Sequence, residues 1–202
     1  MGVQVERGYY QILCEVAAAI NSTRSPDAIL HSIVENVANV QGAKGCSLML
    51  LTPSGKLLLH TAVYGLSDSY IRKGPMSAAK SISEALKGSP IAILDATVDE
   101  RIQYREQAKR EGIVSILSVP MMLRGEIIGV MRIYTEESRY FADEDIYFVK
   151  AVAHLGAIAL ENARLYYLAQ KNYEDIRRYV SEWHTARTVA RMADESVAPR
   201  KA

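Results

Sequence analysis

Apolar residues recur at Tyr9, Ile12, Leu13, Val16 and Ile20, steps of three and four that place a stripe along one face of a helix from about Val5 to Ile20. Asn21-Ser22-Thr23-Arg24 ends it, and Ser25-Pro26 opens a second helix, since a serine oxygen accepts first-turn N–H groups and proline's fixed φ suits the first turn. Ile29, Ile33, Val37 and Val40 line the buried face of that helix, and Gly42 closes it. The period then changes to that of strands. Gly45–Leu51 and Leu57–Tyr64 flank the turn-rich Thr52-Pro53-Ser54-Gly55-Lys56 and predict an antiparallel hairpin.

The next stretch, Ser67–Ala79, has no clear period. Ser81–Lys87 reads as a helical piece stopped by Gly88, and Ile91–Leu94 as a strand. Asp95–Asp99 is a loop with capping residues, and Arg101–Glu111 a polar helix ended by Gly112, the two together forming a lid. Ser115–Leu123 and Glu126–Tyr134 are strands meeting at a tight Arg124-Gly125 turn, which brings the clear strands to five.

From Asp143 a helical pattern persists past Ala163 and on toward Ala190, longer than one core requires. Asn162, Leu165, Ala169, Asn172, Ile176, Tyr179, Trp183, Ala186 and Ala190 keep coiled-coil spacing, so a parallel partner helix would bury them. The alternative is a single amphipathic helix folded back on its own sheet. Beyond about Asp194 the sequence predicts a disordered tail.

Composition narrows the function. The 202 residues are 49% hydrophobic, ample for one core. The 24 basic and 23 acidic residues leave a net charge of +1, which gives no concentrated basic face and argues against nucleic acid. Cys14 and Cys46 stand in apolar stretches, suiting a reducing compartment and a cytoplasmic location. Glu15 interrupts the apolar patch of the first helix, so it is not a signal peptide, and Glu6 stands where N-myristoylation needs Ser or Thr. No apolar run approaches bilayer length, so no membrane partner is expected.

Taken in order, two leading helices, a hairpin, a variable connection, the acidic loop, the strand Ser115-x-x-x-Val119-Pro120, the strand bearing Gly129-Val130 and the Phe141 entry to a closing helix resemble the GAF domain family. The resemblance spans 25–166, leaving 1–24 as an N-terminal amphipathic helix, 167–193 as a C-terminal helical extension and 194–202 as the tail. It implies an α+β, PAS-related fold: an antiparallel sheet of five or six strands, terminal helices on one face, and a ligand pocket with lid loops and short helices on the other.

Counting back from a two-residue turn pairs Leu123 with Glu126, Val119 with Val130, Leu117 with Arg132 and Ser115 with Tyr134, all on one face. Gly129, Met131 and Ile133 then join Ile116, Ser118 and Pro120 on the opposite face, where Gly129 admits a closely packed helix. The more mixed face is the expected ligand-binding surface: Ser115, Leu117, Arg132 and Tyr134, with Tyr64 and Asp95 within reach. Arg132 needs an acceptor there, either a ligand carboxylate or phosphate or an internal Asp95 or Asp99. Asp95 and Asp99-Glu100-Arg101 match the family's ligand-side acidic loop in part, but Asp99 can equally cap a helix start. Tyr134-Thr135-Glu136-Glu137 departs from the Asn-Lys of cyclic-nucleotide-binding members, which disfavours such a ligand.

Enzyme chemistry is sparse. Cys14 and Cys46 do not form the cysteine set used by the family's methionine sulfoxide reductases, His31, His60, His154 and His184 lack metal-ligand spacing, and no phosphate loop or nucleophile elbow appears. The expectation is a non-enzyme with no required cofactor. It would take a small-molecule effector, form a homodimer through its N- and C-terminal helices and signal to a partner protein. The rivals are a dimerisation scaffold whose pocket is plugged by Leu117, Met121 and Tyr134, and a redox enzyme.

Overall fold

Ser25 caps the second helix as its sequence predicts, its Oγ accepting the Ala28 N–H at 3.3 Å. In the computed structural model, which describes residues 2–22, 25–81 and 83–197, the chain divides into two units, Met1–Glu161 and Asn162–Ala202. The first holds α1 (Gly2–Ile20), α2 (Pro26–Val40), β1 (Gly45–Leu51), β2 (Leu57–Tyr64), α3 (Asp68–Ile71), β3 (Met76–Ser77), α4 (Ala78–Ser81), β4 (Ile91–Ile93), α5 (Arg105–Glu111), β5 (Ser115–Leu123) and β6 (Glu126–Thr135). The last helix, α6 (Asp143–Val197), begins in the first unit and supplies the second.

Six antiparallel strands form one sheet in the order β3-β2-β1-β6-β5-β4. The strand missing from the sequence reading is β3, whose two residues pair with Leu57 and Leu58 and are too few to show a period. Between Ala78 and Lys87 the chain makes two short pieces, α4 and a 3₁₀ turn at Ala85–Lys87, and Ile82 of the expected single helix lies outside the described residues. The polar lid helix starts at Arg105 and not at Arg101. Asp99 accepts the Arg101 backbone N–H at 2.9 Å and pairs with its guanidinium at 2.6 Å, holding Asp99–Arg101 as a turn.

The turn between β5 and β6 has φ of +51° at Arg124 and +86° at Gly125, the two positive values that a tight hairpin turn matching strand twist demands. Leu123 pairs with Glu126 as counted. One step later the register slips, because Met122 faces Ile127 while Met121 faces Gly129, leaving Ile128 as the extra residue of a β-bulge. The pairs are therefore Val119–Met131, Leu117–Ile133, Ser118–Arg132, Ile116–Tyr134 and Ser115–Thr135. The expected partners were each displaced by one residue. A second irregularity, between Leu48 and Met49 on β1, leaves Thr61 unmatched on β2.

These bulges sort the core into two layers. Leu48, Ala62, Leu117, Val119, Met121, Met131 and Ile133 join Ile33, Val37, Phe148 and Val152 beneath α1, α2 and the start of α6. Met49, Leu58, Ile116, Val130 and Tyr134 form a second cluster with Tyr70, Met76, Ile91, Ile93, Ile102 and Ile113 beneath the lid elements. Met131 and Ile133 face the helices as expected. At Gly156 of α6 an added Cβ would lie 3.5 Å from Leu48, an ordinary contact distance. At Gly129 it would meet the Met49 carbonyl of the neighbouring strand at 2.1 Å, so this glycine serves strand packing.

A polar network ties the helix ends to the sheet. Arg139, between β6 and α6, donates to the Gln41 carbonyl and side chain and pairs with Asp145 at 3.1 Å. Asp145 also accepts the Tyr9 hydroxyl, and Tyr9 stacks on Phe148 with centroids 4.1 Å apart. Burial and this carboxylate push the Tyr9 phenol up to about 12.

In the second unit, the residues of α6 from Asn162 carry exposed Leu165, Ile176, Tyr179 and Trp183. The side chains of Ala186 and Ala190 lie outside the described residues, as do 198–202 of the expected tail, whose residues up to Val197 are helical. Among the described residues, no helix is long and apolar enough to cross a membrane.

Candidate functional site

The lid face of the sheet carries a polar cluster inside an apolar layer. Arg132 projects there from the middle of β6 and is only 2% exposed. Its Nε donates to Ser118 Oγ, directly opposite on β5, at 2.9 Å, and its Nη1 lies 3.4 Å from Met76 Sδ of β3. Tyr134 shares this face, and its hydroxyl lies 3.0 Å from Ser47 Oγ on β1. Burial raises the Tyr134 phenol while the nearby Arg132 guanidinium opposes that rise.

The lid supplies the rest. Tyr70 of α3 sets its ring edge-on to Tyr134, with centroids 6.0 Å apart. Lys73, just beyond α3, donates to the Tyr70 carbonyl at 2.9 Å and places its ammonium 3.6 Å from the centre of the Tyr70 ring. The same ammonium lies 3.4 Å from His60 Nε2 on β2. Among the described residues, His60 Nδ1 is buried with no hydrogen-bond partner.

Burial and the positive charge of Arg132 act on both nitrogens, bringing Lys73 down to about 8; burial, Lys73 and Arg132 hold His60 at about 4. Burial also raises the Tyr70 phenol. Glu111 of α5 is the carboxylate near Lys73 and Tyr70, and it accepts the Ser67 backbone N–H and hydroxyl. The arrangement presents three nitrogen-bearing side chains, phenols and hydroxyls from the sheet and the lid, which suits recognition of a polar molecule more than bond-making chemistry.

Of the residues expected at the site, Arg132 and Tyr134 come together. Ser115 and Leu117 lie on the other face. Leu117 is packed among the helices, and Ser115 Oγ bridges the Leu94 carbonyl and the Arg139 N–H at 2.7 and 2.9 Å. Tyr64 is also on the helix side, its hydroxyl 3.5 Å from Asn39, because the extra residue at Thr61 turns the end of β2 over. Asp95 is exposed and accepts from the Thr97 hydroxyl and backbone N–H, which lower its pKa; Asp99 is likewise lowered by Arg101. Both accept from residues of their own loop, Asp95 through Oδ1 and Asp99 through both oxygens.

Ser47, Ser118, His60, Lys73 and Tyr70 escaped sequence reading. Ser118 could have been reached by allowing one bulge before Gly129, while Lys73 lies in the stretch without period and carries no sequence signal of its own. Among the described residues, no group of three or more His, Cys, Asp or Glu is placed to hold a metal ion. Cys46 is buried on the helix side, where burial raises its thiol pKa, and Cys14 is exposed on α1.

A family model described as a GAF domain matches residues 23–161. The chain is similar to the methyl sulfide methyltransferase-associated sensor of Methanosarcina acetivorans, with 25% identity over 156 residues that take in 74% of this chain and 16% of that protein. The chain thus spans a small part of that relative's length. Among solved structures it is similar to the GAF domain of a phosphoenolpyruvate-protein phosphotransferase from Coxiella burnetii, with a TM-score of 0.69, 22% identity and coverage of 79% of this chain and 96% of that one. It is also similar to a free methionine-R-sulfoxide reductase from Neisseria meningitidis in complex with its substrate, at a TM-score of 0.64, 16% identity and coverage of 78% and 90%. At these identities the structural likenesses speak for the fold alone.

Proposed function

Since the chain belongs to the GAF domain family, we propose that it is a non-catalytic sensing and regulatory module: a small-molecule effector binds between the lid and the sheet, the protein dimerises through α1 and α6, and the signal passes to a partner protein. The observation that carries this reading is the buried Arg132–Ser118 and Tyr134–Ser47 polar cluster set within an apolar layer roofed by short lid elements. Such groups are tolerated in an apolar layer because they are hydrogen-bonded, and a few placed polar groups within apolar walls suit recognition of a small molecule.

A connected set of hydrogen bonds supports transmission. Leu94, at the start of the lid loop, accepts from Ser115; Ser115 accepts from Arg139; Arg139 pairs with Asp145 at the start of α6, which Tyr9 of α1 also reaches. A displaced lid loop would pull on both terminal helices through that set. Exposed Leu165, Ile176, Tyr179 and Trp183 support the helical seam. The raised Cys46 thiol and its separation from the lid face weigh against thiol chemistry.

A thermal-shift screen of metabolites against the wild type and Arg132→Ala in parallel tests the site, because a ligand that binds only the folded state raises Tm. A hit lost in the variant supports it, whereas hits that shift both proteins equally remove Arg132 from ligand binding. The second reading, a scaffold with a self-filled pocket, draws on Tyr70 packing against Tyr134 and Met76 against Arg132. Of the three side chains expected to plug the pocket, Leu117 and Met121 belong to the helix-side cluster and Tyr134 to the lid side. A screen without hits favours that reading.

A further inference from the structure

We infer that the lid site recognises a small anion bearing a carboxylate or phosphate group, which Lys73 and His60 hold together with Arg132, and that binding takes up a proton at His60. The inference rests on the sensor reading above and adds the class of ligand.

The geometry carries it. Lys73 and His60 reach the same point from lid and sheet, their nitrogens 3.4 Å apart, and both lie within the electrostatic field of Arg132. The groups facing them are Arg132 and Tyr134 from β6, Tyr70 from α3, Tyr104 ahead of α5, with its ring centre 5.8 Å from the ammonium, and Glu111 from α5. Glu111 is committed to Ser67 at the outer end of the cluster. Burial first, and then the neighbouring positive charges, disfavour the charged forms of Lys73 and His60, and that cost shows in the lowered values of both. An anion reverses it, because each positive charge then gains an opposite partner in a medium of low dielectric. A neutral or cationic ligand leaves the repulsion in place.

His60 has the further feature that its Nδ1 is buried with no hydrogen-bond partner among the described residues. With Nε2 accepting from the Lys73 ammonium, the neutral ring carries its hydrogen on Nδ1, a donor for which an anion's oxygen is an acceptor, and protonation adds a second donor at Nε2 once the ammonium turns to the anion. Lys73 precedes Gly74, whose φ of +116° is readily adopted only by glycine, so the turn that carries the ammonium over the sheet depends on that residue.

Isothermal titration of the full chain tests this with sodium sulfate, sodium succinate and uncharged succinamide, at matched ionic strength and in buffers of different ionisation enthalpy. Sulfate keeps its charge across the neutral range, so its pH dependence reports the protein, and comparing sulfate with succinate separates phosphate-like from carboxylate recognition. We expect at least one anion to bind, succinamide not to, and affinity to fall as pH rises through the neutral range, because binding takes up a proton at His60, and to fall further past about 8, where Lys73 loses its proton. Lys73→Gln should weaken binding about tenfold or more and Lys73→Arg should retain it, while His60→Gln should abolish proton uptake. Melting curves check that each variant folds. Equal binding of succinamide, or binding indifferent to pH and to Lys73→Gln, overturns the inference. If the anions fail but a neutral metabolite binds in an Arg132-dependent way, the ligand class is wrong and the sensor reading stands. If compounds of every charge fail, both fall.

Discussion

Arg132 and Ser118 stand directly opposite each other on β6 and β5, joined by an Nε–Oγ hydrogen bond of 2.9 Å in a layer closed to solvent. Ser118→Ala removes this acceptor and leaves a buried guanidinium N–H short of one bond. Such a loss costs about 1–3 kcal/mol, so urea denaturation should show a lower midpoint with an unchanged slope. An unaltered midpoint would mean that Nε finds another acceptor at no cost.

Leu117 packs against the helices, on the reverse of the sheet from Arg132. Truncating a fully buried leucine forfeits its transfer energy and leaves a cavity, about 2–5 kcal/mol in all. Leu117→Ala should therefore lower stability by this order while leaving the dissociation constant of any lid-site ligand within about twofold. Weakened binding by a folded Leu117→Ala protein would place this residue at the ligand after all.

Arg124 is held at φ of +51° in the exposed β5–β6 turn, a conformation that a long side chain adopts only at a cost. Asparagine tolerates that region and favours this turn type when followed by glycine. Arg124→Asn is expected to raise the melting temperature by a few degrees, corresponding to about 0.5–1 kcal/mol. A lower melting temperature would show that Arg124 contributes something beyond its backbone conformation.

His60 gives stability a defined pH dependence. Its folded value of about 4 lies below the ordinary 6.5, so the unfolded chain takes up a proton between these limits that the native protein resists. The contribution is complete above about pH 6.5, declines as pH falls and levels off near 4. At about 1.4 kcal/mol per pH unit, and discounting for partial exposure, the loss is about 2 kcal/mol. The difference in unfolding free energy between wild type and His60→Gln should follow that curve. Parallel curves for the two proteins would refute it. Lys73, lowered to about 8 from 10.5, acts in a separate alkaline window, where stability rises with pH.

Much of the architecture was legible because its causes are local. The stripe from Tyr9 to Ile20, the Ser25-Pro26 cap, the turn at Thr52–Lys56 and the Arg124-Gly125 hairpin each follow from neighbouring residues, and each appears in the structure. Arg132 was legible for the same reason: a charged residue inside an apolar strand must be answered by something. The division of the sheet into a helix side and a lid side was also sound for Met131 and Ile133.

Which other residues face the lid depended on two extra residues, Ile128 and Thr61, whose sequences do not distinguish them from ordinary strand positions. A strand's side chains alternate with period two, so one added residue inverts every later position. That inversion moved Ser115, Leu117 and Tyr64 to the helix side and brought Ser118 beneath the lid. Lys73 reached His60 only because the chain after α3 returns over the sheet, a contact set by tertiary packing across residues with no shared local pattern. Local chemistry thus specified the elements and the residue most in need of a partner, while register and long-range return of the chain decided the company that residue keeps.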